Sequence, residues 1–172
     1  MAMATLPDSA WDKEKAGALL QRAGFGGTPR EVEALAQMPP RQAVEFLLGS
    51  PELAKAEPPA SVTRPGLTEQ QRYLRRRLRL LTPKDREKKG QANPATATLE
   101  KLVLFLHGHF ATSEEKVRNP ALLYQQNRTF RERAWGPWSE LVLGVAQDPA
   151  MLIYLDGARS RPEQPNENFA RE

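Results

Sequence analysis

The sequence predicts an all-α protein, an irregular multi-helix bundle. Three observations support this class: apolar residues recur at helical spacing along most of the chain, aromatic residues make up only 7%, and 15 prolines separate the periodic segments. Apolar residues three and four positions apart share one face of a helix, and proline ends helices or begins them. No segment convincingly shows the two-residue alternation of a strand. We therefore expect short helices joined by proline-marked turns.

Three helices are expected before residue 50. The first is capped by Asp8 or Ser9 and ends at the glycine-rich turn that begins with Gly24. The second is capped by Thr28 and breaks at residues 39–40, and the third spans residues 41–48. The first helix runs through Trp11, Ala16, Leu19, Leu20 and Ala23, and the second holds Val32, Leu35, Ala36 and Met38 on one face. The expected inward residues of the third are Ala43, Val44, Leu47 and Leu48.

The segment from residue 52 to residue 95 is expected to contain a linker, a basic helix and a loop. Residues 52–66 have the composition of a Pro- and Ala-rich linker, and residues 82–95 that of a polar mobile loop. Between them, a basic helix is expected at residues 72–79. Positions 72–89 hold nine basic and two acidic residues, a local charge of +7, whereas the whole chain is +4. Such a basic stripe is typical of a solvated face, and it also suits an anionic membrane surface. Because the rest of the chain is net acidic, we expect this helix to contact an acidic partner or the missing part of the chain rather than nucleic acid.

The second half of the chain is expected to hold five further helices. They are predicted at residues 95–110, 120–134, 138–147 and 150–155, with a last helix that begins at Asn166. The helix at residues 95–110 is apolar nearly all round, which is typical of a buried helix. Asp148 and Asn166 are the expected N-caps of the last two helices.

Composition excludes several classes of chemistry. The chain has no cysteine, which excludes disulfides, thiolate metal sites and cysteine nucleophiles. It contains no P-loop, no G-x-G-x-x-G after a strand, no G-x-S-x-G elbow and no H-E-x-x-H motif. Apolar runs such as residues 102–106 are far shorter than the roughly 20 residues of a membrane span. Residues 1–11 lack the features of a secretory signal, and the compartment stays unassigned.

Both histidines of the chain lie in His107-Gly108-His109, at the end of its most apolar helix. A step of two residues turns about 200° around a helix, so the two imidazoles should point to opposite flanks and chelate one ion poorly. Two interpretations stay open. Each histidine is a hydrogen-bonded core residue, or one of them is a metal ligand or a general acid–base group.

Residues 165–172 are the second candidate for a site. They place five polar side chains around Phe169: Asn166, Glu167, Asn168, Arg171 and Glu172. On an exposed helix these residues would form a well-capped surface segment with a Glu167–Arg171 pair. Inside a protein they would form a polar network, kept for helix register or for a site.

Four segments resemble motifs of one bacterial family. They are residues 18–29 (ALLQRAGFGGTP), 100–113 (EKLVLFLHGHFATS), 148–156 (DPAMLIYLD) and 165–172 (PNENFARE). In this order they are similar to the segments LLRRAGFG-x-TP, EKL-x-x-FWHNHFATS, DPAML-x-YLD and PNENFARE of the family called domain of unknown function 1800. Two positions depart from the family pattern, because Leu106 and Gly108 replace its tryptophan and asparagine.

The resemblance implies a mostly helical bacterial protein, often with an export signal and often encoded beside secreted proteins of another uncharacterised family. Family members continue beyond the last motif, so residues 1–172 are expected to be the amino-terminal part of one larger helical domain, truncated at its C-terminus. The family supplies no established reaction. Its matched polar positions are candidates for a site: His107, His109, Asp156, Asn166, Glu167, Asn168, Arg171 and Glu172.

These residues support two functional hypotheses. The first is a structural or binding module in which His, Asn, Glu and Arg side chains form a buried polar network. The second is an enzyme or metal-dependent site, in which one histidine meets carboxylates of residues 166–172. Its candidate catalytic residues are His107, His109, Glu167, Arg171 and Glu172, and the two histidines are the candidate ligands of a divalent metal. The first hypothesis is favoured because His-x-His chelates poorly and no nucleophile is evident.

Overall fold

A computed structural model describes residues 7–49 and 94–171 of the chain. These residues form nine α-helices and no strand, apart from one isolated bridge between Arg161 and Gln164. The predicted all-α class is therefore confirmed. The predicted linker at residues 52–66, the basic helix at 72–79 and residues 82–93 of the predicted loop lie outside the described residues. The helix predicted from residue 95 begins at Pro94, which was predicted as part of that loop.

The chain divides into two compact units. Among the described residues, unit 1 includes 7–49 and 94–102, and unit 2 includes 103–171. The division falls within one helix, which contributes residues to both units.

Unit 1 contains α1 (Lys13–Ala23), α2 (Pro29–Ala36), α3 (Pro40–Leu48) and the first part of α4 (Pro94–His109). The buried residues that join its first three helices are Ala16, Leu20, Leu35, Ala43 and Leu47. Val44 and Leu48 are 41% and 46% exposed, so their predicted inward position is wrong. Adjacent residues are about 100° apart around a helix, and the buried face of α3 takes only one residue of each adjacent pair.

The starts of α1 and α2 show which polar residues cap them. Asp12 caps α1, since its carboxylate accepts a hydrogen bond from the backbone N–H of Lys15 at 2.9 Å. The predicted cap at Asp8 or Ser9 is wrong, because Asp8–Ala10 forms a separate 3-10 turn and the chain is extended after it. Thr28 caps α2 as predicted and forms a reciprocal capping box with Glu31.

Unit 2 contains the end of α4, then α5 (Glu114–Val117), α6 (Pro120–Arg133), α7 (Trp138–Ala146), α8 (Pro149–Tyr154) and α9 (Glu167–Arg171). Its buried apolar residues are Val103, Leu106, Val117, Phe130, Leu141, Val145, Ala150 and Met151. Leu104 and Phe105 are 51% and 62% exposed, so the prediction of a buried helix is wrong for this part of α4. The four-residue α5 is too short to show helical periodicity in the sequence.

Candidate functional site

The candidate site lies in unit 2, where the end of α4 carries both histidines. The imidazole of His107 contacts the ring of Phe130 edge-on, with the ring centroids 6.3 Å apart. Part of the residue is exposed, yet burial lowers the pKa of the His107 imidazole below its usual value. Desolvation disfavours the protonated ring, so this histidine is held more strongly in its neutral form.

His109 contacts a different set of rings. Its imidazole stacks on Phe105 at 6.1 Å, meets Phe110 edge-on at 4.7 Å, and lies 5.8 Å from the indole of Trp138. These contacts share no ring with those of His107. The arrangement is consistent with the two-residue step, which rotates successive odd positions by about 200° around the helix.

Asn166 organises the start of α9. Its side-chain Oδ1 accepts hydrogen bonds from the backbone N–H groups of Asn168 at 2.9 Å and Phe169 at 3.2 Å. The predicted N-cap is therefore confirmed. Its Nδ2 donates to the carbonyl of Leu155 at 2.8 Å, which ties α9 to the end of α8. The same residue thus fixes both the start of the helix and its attachment to unit 2.

The aromatic ring of Phe169 packs against a glycine that has no room for a side chain. A Cβ added to Gly157 would lie 2.9 Å from Cδ2 of Phe169 and 3.2 Å from Cδ2 of Leu152. Real Cβ atoms essentially never approach another atom to less than 3.0 Å, so the contact with Phe169 would have to shift. Gly157 therefore makes the close seating of α9 possible.

A cavity of about 650 Å³ lies beside α9, and we call it the α9 cavity. Its apolar lining consists of Phe110, Ala111, Val142, Val145, Ala146, Met151, Leu155 and Phe169. Its polar lining consists of His109, Lys116, Tyr154, Asn168 and Arg171. The structure thus brings His109 together with two residues of the terminal segment, as lining of one cavity.

The other predicted residues do not line this cavity. His107 faces Phe130, and Glu167 and Asn166 are not part of the lining. Glu172 lies outside the described residues. The predicted contact between a histidine and a carboxylate of the terminal segment therefore stays a proposal.

Two lining residues, Lys116 and Tyr154, were not among the predicted site residues. The Lys116 ammonium donates a hydrogen bond to Oδ2 of Asp156 at 2.7 Å and lies 5.6 Å from the centroid of the Tyr154 ring. The hydrogen bond from Lys116 lowers the pKa of the Asp156 carboxyl below its usual value. Asp156 has a left-handed backbone with φ 56°. Forty residues separate the ion pair along the chain, so no local pattern could have shown it.

Arg171 is held by an amide rather than by a carboxylate. Its Nη2 donates a hydrogen bond to Oδ1 of Asn168 at 2.8 Å. Arginine carries five N–H donors, so this contact orients the guanidinium and leaves other donors available.

A buried polar network supports unit 2, and it involves residues that the sequence did not predict for this role. The Thr112 hydroxyl donates to Oε1 of Gln126 at 2.6 Å, and Nε2 of Gln126 donates to Oδ1 of Asp148 at 3.2 Å. The same Oδ1 accepts from the backbone N–H groups of Ala150 and Met151, which confirms Asp148 as the cap of α8. The available signal was the spacing of Gln126, four positions from apolar Leu122 and from Phe130 on the same helix.

Residues 7–49 and 94–171 contain neither a metal-binding cluster nor a helix that could span a membrane. Within this part of the chain, no three His, Asp or Glu side chains are grouped so that they could hold a metal ion. No helix there combines the length and the apolar character that crossing a membrane requires.

The chain was then compared with known proteins. No curated protein and no solved structure matches it. Residues 18–172 match the family described as protein of unknown function (DUF1800). This match begins within α1 and includes all four motif segments and the whole of the α9 cavity. Because the match covers most of the sequence, the chain belongs to the DUF1800 family.

Proposed function

We propose that residues 103–171 form a binding module that holds a small organic molecule in the α9 cavity. The observation that carries this proposal is the composition of the cavity, which is mostly apolar and has a few polar groups converging on it. Cavities of roughly 300–1,000 Å³ with this composition are typical of small-molecule sites. The volume of about 650 Å³ falls within that range.

The surrounding structure supports a fixed rather than a collapsible cavity. The network of Thr112, Gln126 and Asp148 joins the loop after α4 to α6 and to the start of α8. Asn166 then ties α9 to the end of α8. Hydrogen-bonded links of this kind hold the walls in one arrangement, and a preorganised site loses less entropy on binding.

The test uses two neutral probes, octanol and phenylpropanol, with saturation-transfer NMR on the 172-residue chain. Ala146 lines the cavity, so Ala146→Phe fills part of it. Ala121 is exposed on α6 and outside the lining, so Ala121→Phe is the matched control. We expect octanol or phenylpropanol to bind the wild type and the control, and to bind Ala146→Phe much more weakly. Absence of binding to the wild type, or equal binding to both variants, would refute the proposal.

A second candidate function is an enzyme that acts on the bound molecule. Of the five predicted residues His107, His109, Glu167, Arg171 and Glu172, this candidate function uses His109 and Arg171, which line the cavity. The observation that favours it is that His109 and Arg171 line one cavity, so a base and a cation face the same bound molecule. His109 would act as general base toward water, and Arg171 would bind developing negative charge.

The enzyme hypothesis is tested by hydrolysis of p-nitrophenyl octanoate near neutral pH. Water would add to the ester carbonyl, and the products would be octanoate and nitrophenol. Loss of hydrolysis in His109→Gln but not in His107→Gln would support it. Equal rates in the wild type and in His109→Gln would exclude His109 as the base.

A further inference from the structure

The charges around the α9 cavity indicate which molecules it accepts. The two charged side chains of the lining, Lys116 and Arg171, are both cationic, and the remaining basic side chain is that of His109. No carboxylate of the described residues lines the cavity. A cavity lined in this way favours a ligand that carries negative charge.

The local charge balance sets how much negative charge fits. Asp156 stands 2.7 Å from the Lys116 ammonium and offsets its charge. Arg171 contacts the neutral amide of Asn168, and no ion pair with a carboxylate of the described residues engages it. Lys116, Asp156 and Arg171 together carry one net positive charge, which a monoanion would balance. Nη1 of Arg159 lies 4.0 Å from Oδ1 of Asp156 and outside the lining, and it adds to the positive side of this balance.

The apolar part of the cavity lining indicates the chemistry of the rest of the ligand. Val142, Met151, Leu155 and Phe169 contribute branched, flexible and aromatic surfaces to the lining. Burial of apolar ligand surface there is favourable by roughly 25 cal/mol per Å². A purely inorganic anion would leave this apolar lining without a partner.

We propose that the α9 cavity binds an apolar carboxylate, with the carboxylate held by Arg171 and the hydrocarbon part against Phe169. This inference rests on the proposed binding function and specifies its ligand class. Guanidinium and carboxylate groups are complementary, because two parallel N–H donors meet two oxygens. Asn168 acts as a positioning residue, since its side-chain oxygen holds the guanidinium.

The test compares matched probes that differ only in charge: octanoate with octanol, and phenylpropanoate with phenylpropanol. Dissociation constants are measured by isothermal titration calorimetry for the wild type and Arg171→Gln. We expect each acid to bind the wild type more tightly than its alcohol. Loss of a charge-assisted hydrogen bond costs about 1.5 kcal/mol or more, so Arg171→Gln should weaken octanoate about tenfold. Octanol should bind Arg171→Gln as it binds the wild type.

The control variant is Arg161→Gln, because Arg161 is exposed and does not line the cavity. It should leave octanoate affinity unchanged. Equal affinity of acid and alcohol for the wild type would overturn the carboxylate inference and leave the binding function standing. Failure of all four probes to bind would overturn both. If Arg171→Gln weakened the binding of acid and alcohol equally, the carboxylate inference would also be overturned, since charge recognition would not explain that loss.

Discussion

Nε2 of Gln126 donates a hydrogen bond to Oδ1 of Asp148 at 3.2 Å, and both residues are almost fully buried. This bond joins the middle of α6 to the first turn of α8. Asp148 therefore has two roles, as the cap of α8 and as the acceptor that satisfies a buried amide. An interior amide without a partner costs more than the bond itself contributes, so this pair is expected to be sensitive to substitution.

Replacement of Asp148 by alanine should destabilise the protein strongly. It removes the N-cap of α8 and leaves Gln126 without its acceptor, with a combined cost of about 2–4 kcal/mol in the free energy of unfolding. Asn119→Ala is the matched control, because Asn119 caps α6 at an exposed position and should cost about 1 kcal/mol. Urea unfolding near neutral pH measures both. Equal losses would show that the buried bond contributes nothing beyond the cap.

The stability of the wild type relative to Asp148→Asn should fall as the pH rises. Burial, the largest effect, raises the pKa of the Asp148 carboxyl above its ordinary value of 3.8, although hydrogen bonds from Met151, Ala150 and Gln126 oppose it. The folded state then holds the proton more tightly than the unfolded chain. The stability that this proton contributes is fully present below pH 3.8 and is lost as the pH rises through the raised pKa. Asparagine keeps an acceptor for the cap and does not titrate. Urea unfolding of both proteins from about pH 3 to pH 7 tests this linkage.

Asp156→Asn supplies the control of opposite sign. The hydrogen bond from Lys116 lowers the pKa of the Asp156 carboxyl. The stability that the Asp156 carboxylate contributes is therefore present above pH 3.8 and is lost as the pH falls through the lowered pKa. Asparagine tolerates the left-handed backbone at this position. A wild-type advantage over Asp148→Asn that grows with rising pH would contradict the assigned burial effect.

The sequence predicted features that depend on residues close together in the chain. Thr28, Asp148 and Asn166 were all predicted as N-caps, and each accepts hydrogen bonds from backbone N–H groups two or three residues ahead. Helix spans were predicted for the same reason, since periodicity is a local property. Asp12 was not predicted as a cap because the 3-10 turn before it cannot be distinguished by composition from a helix start.

Features that depend on distant residues were not predicted. The partner of Gln126 is 22 positions away, and the partner of Lys116 is 40 positions away. The exposure of Leu104 and Phe105 likewise depends on what packs around α4, which an apolar pattern does not specify. For the candidate site, the motif positions His109, Asn168 and Arg171 were identified, but their shared cavity required the fold.

Introduction of a methyl group at Gly157 should loosen α9. A Cβ there would overlap the ring of Phe169, and overpacking of this kind typically costs about 1–3 kcal/mol. Gly108→Ala is the matched control, because a Cβ at that exposed position of α4 meets no atom within 4 Å. Alanine is favoured over glycine in a helix by up to about 1 kcal/mol, so the control should be neutral or stabilising. Hydrogen exchange of the Phe169 amide should accelerate in Gly157→Ala alone, and unchanged exchange would show that α9 does not depend on this contact.

Lys101 in unit 1 should stabilise the end of α1. Its ammonium donates hydrogen bonds to the carbonyl oxygens of Gln21 at 2.8 Å and Gly24 at 2.7 Å, and it lies 5.9 Å from the centroid of the Phe25 ring. A cation is favourable at a helix C-terminus, where carbonyl groups lack partners within the helix. Lys101→Met keeps the apolar part of the side chain and removes the donors, so we expect a loss of about 1–2 kcal/mol in the free energy of unfolding.

Lys13→Met is the control for this prediction, because Lys13 forms an exposed ion pair with Glu33 within the same unit. Exposed pairs gain little from Coulomb attraction in water and are screened by salt, so its loss should be much smaller. Urea unfolding in low and high salt distinguishes the stability losses of the two variants. The Lys101→Met loss should persist in high salt, because its acceptors are carbonyl groups at short range, whereas the Lys13→Met loss should fade. If the two variants lose the same stability, Lys101 does not cap α1. Its hydrogen bonds to Gln21 and Gly24 would then not explain how motif segments 18–29 and 100–113 are joined.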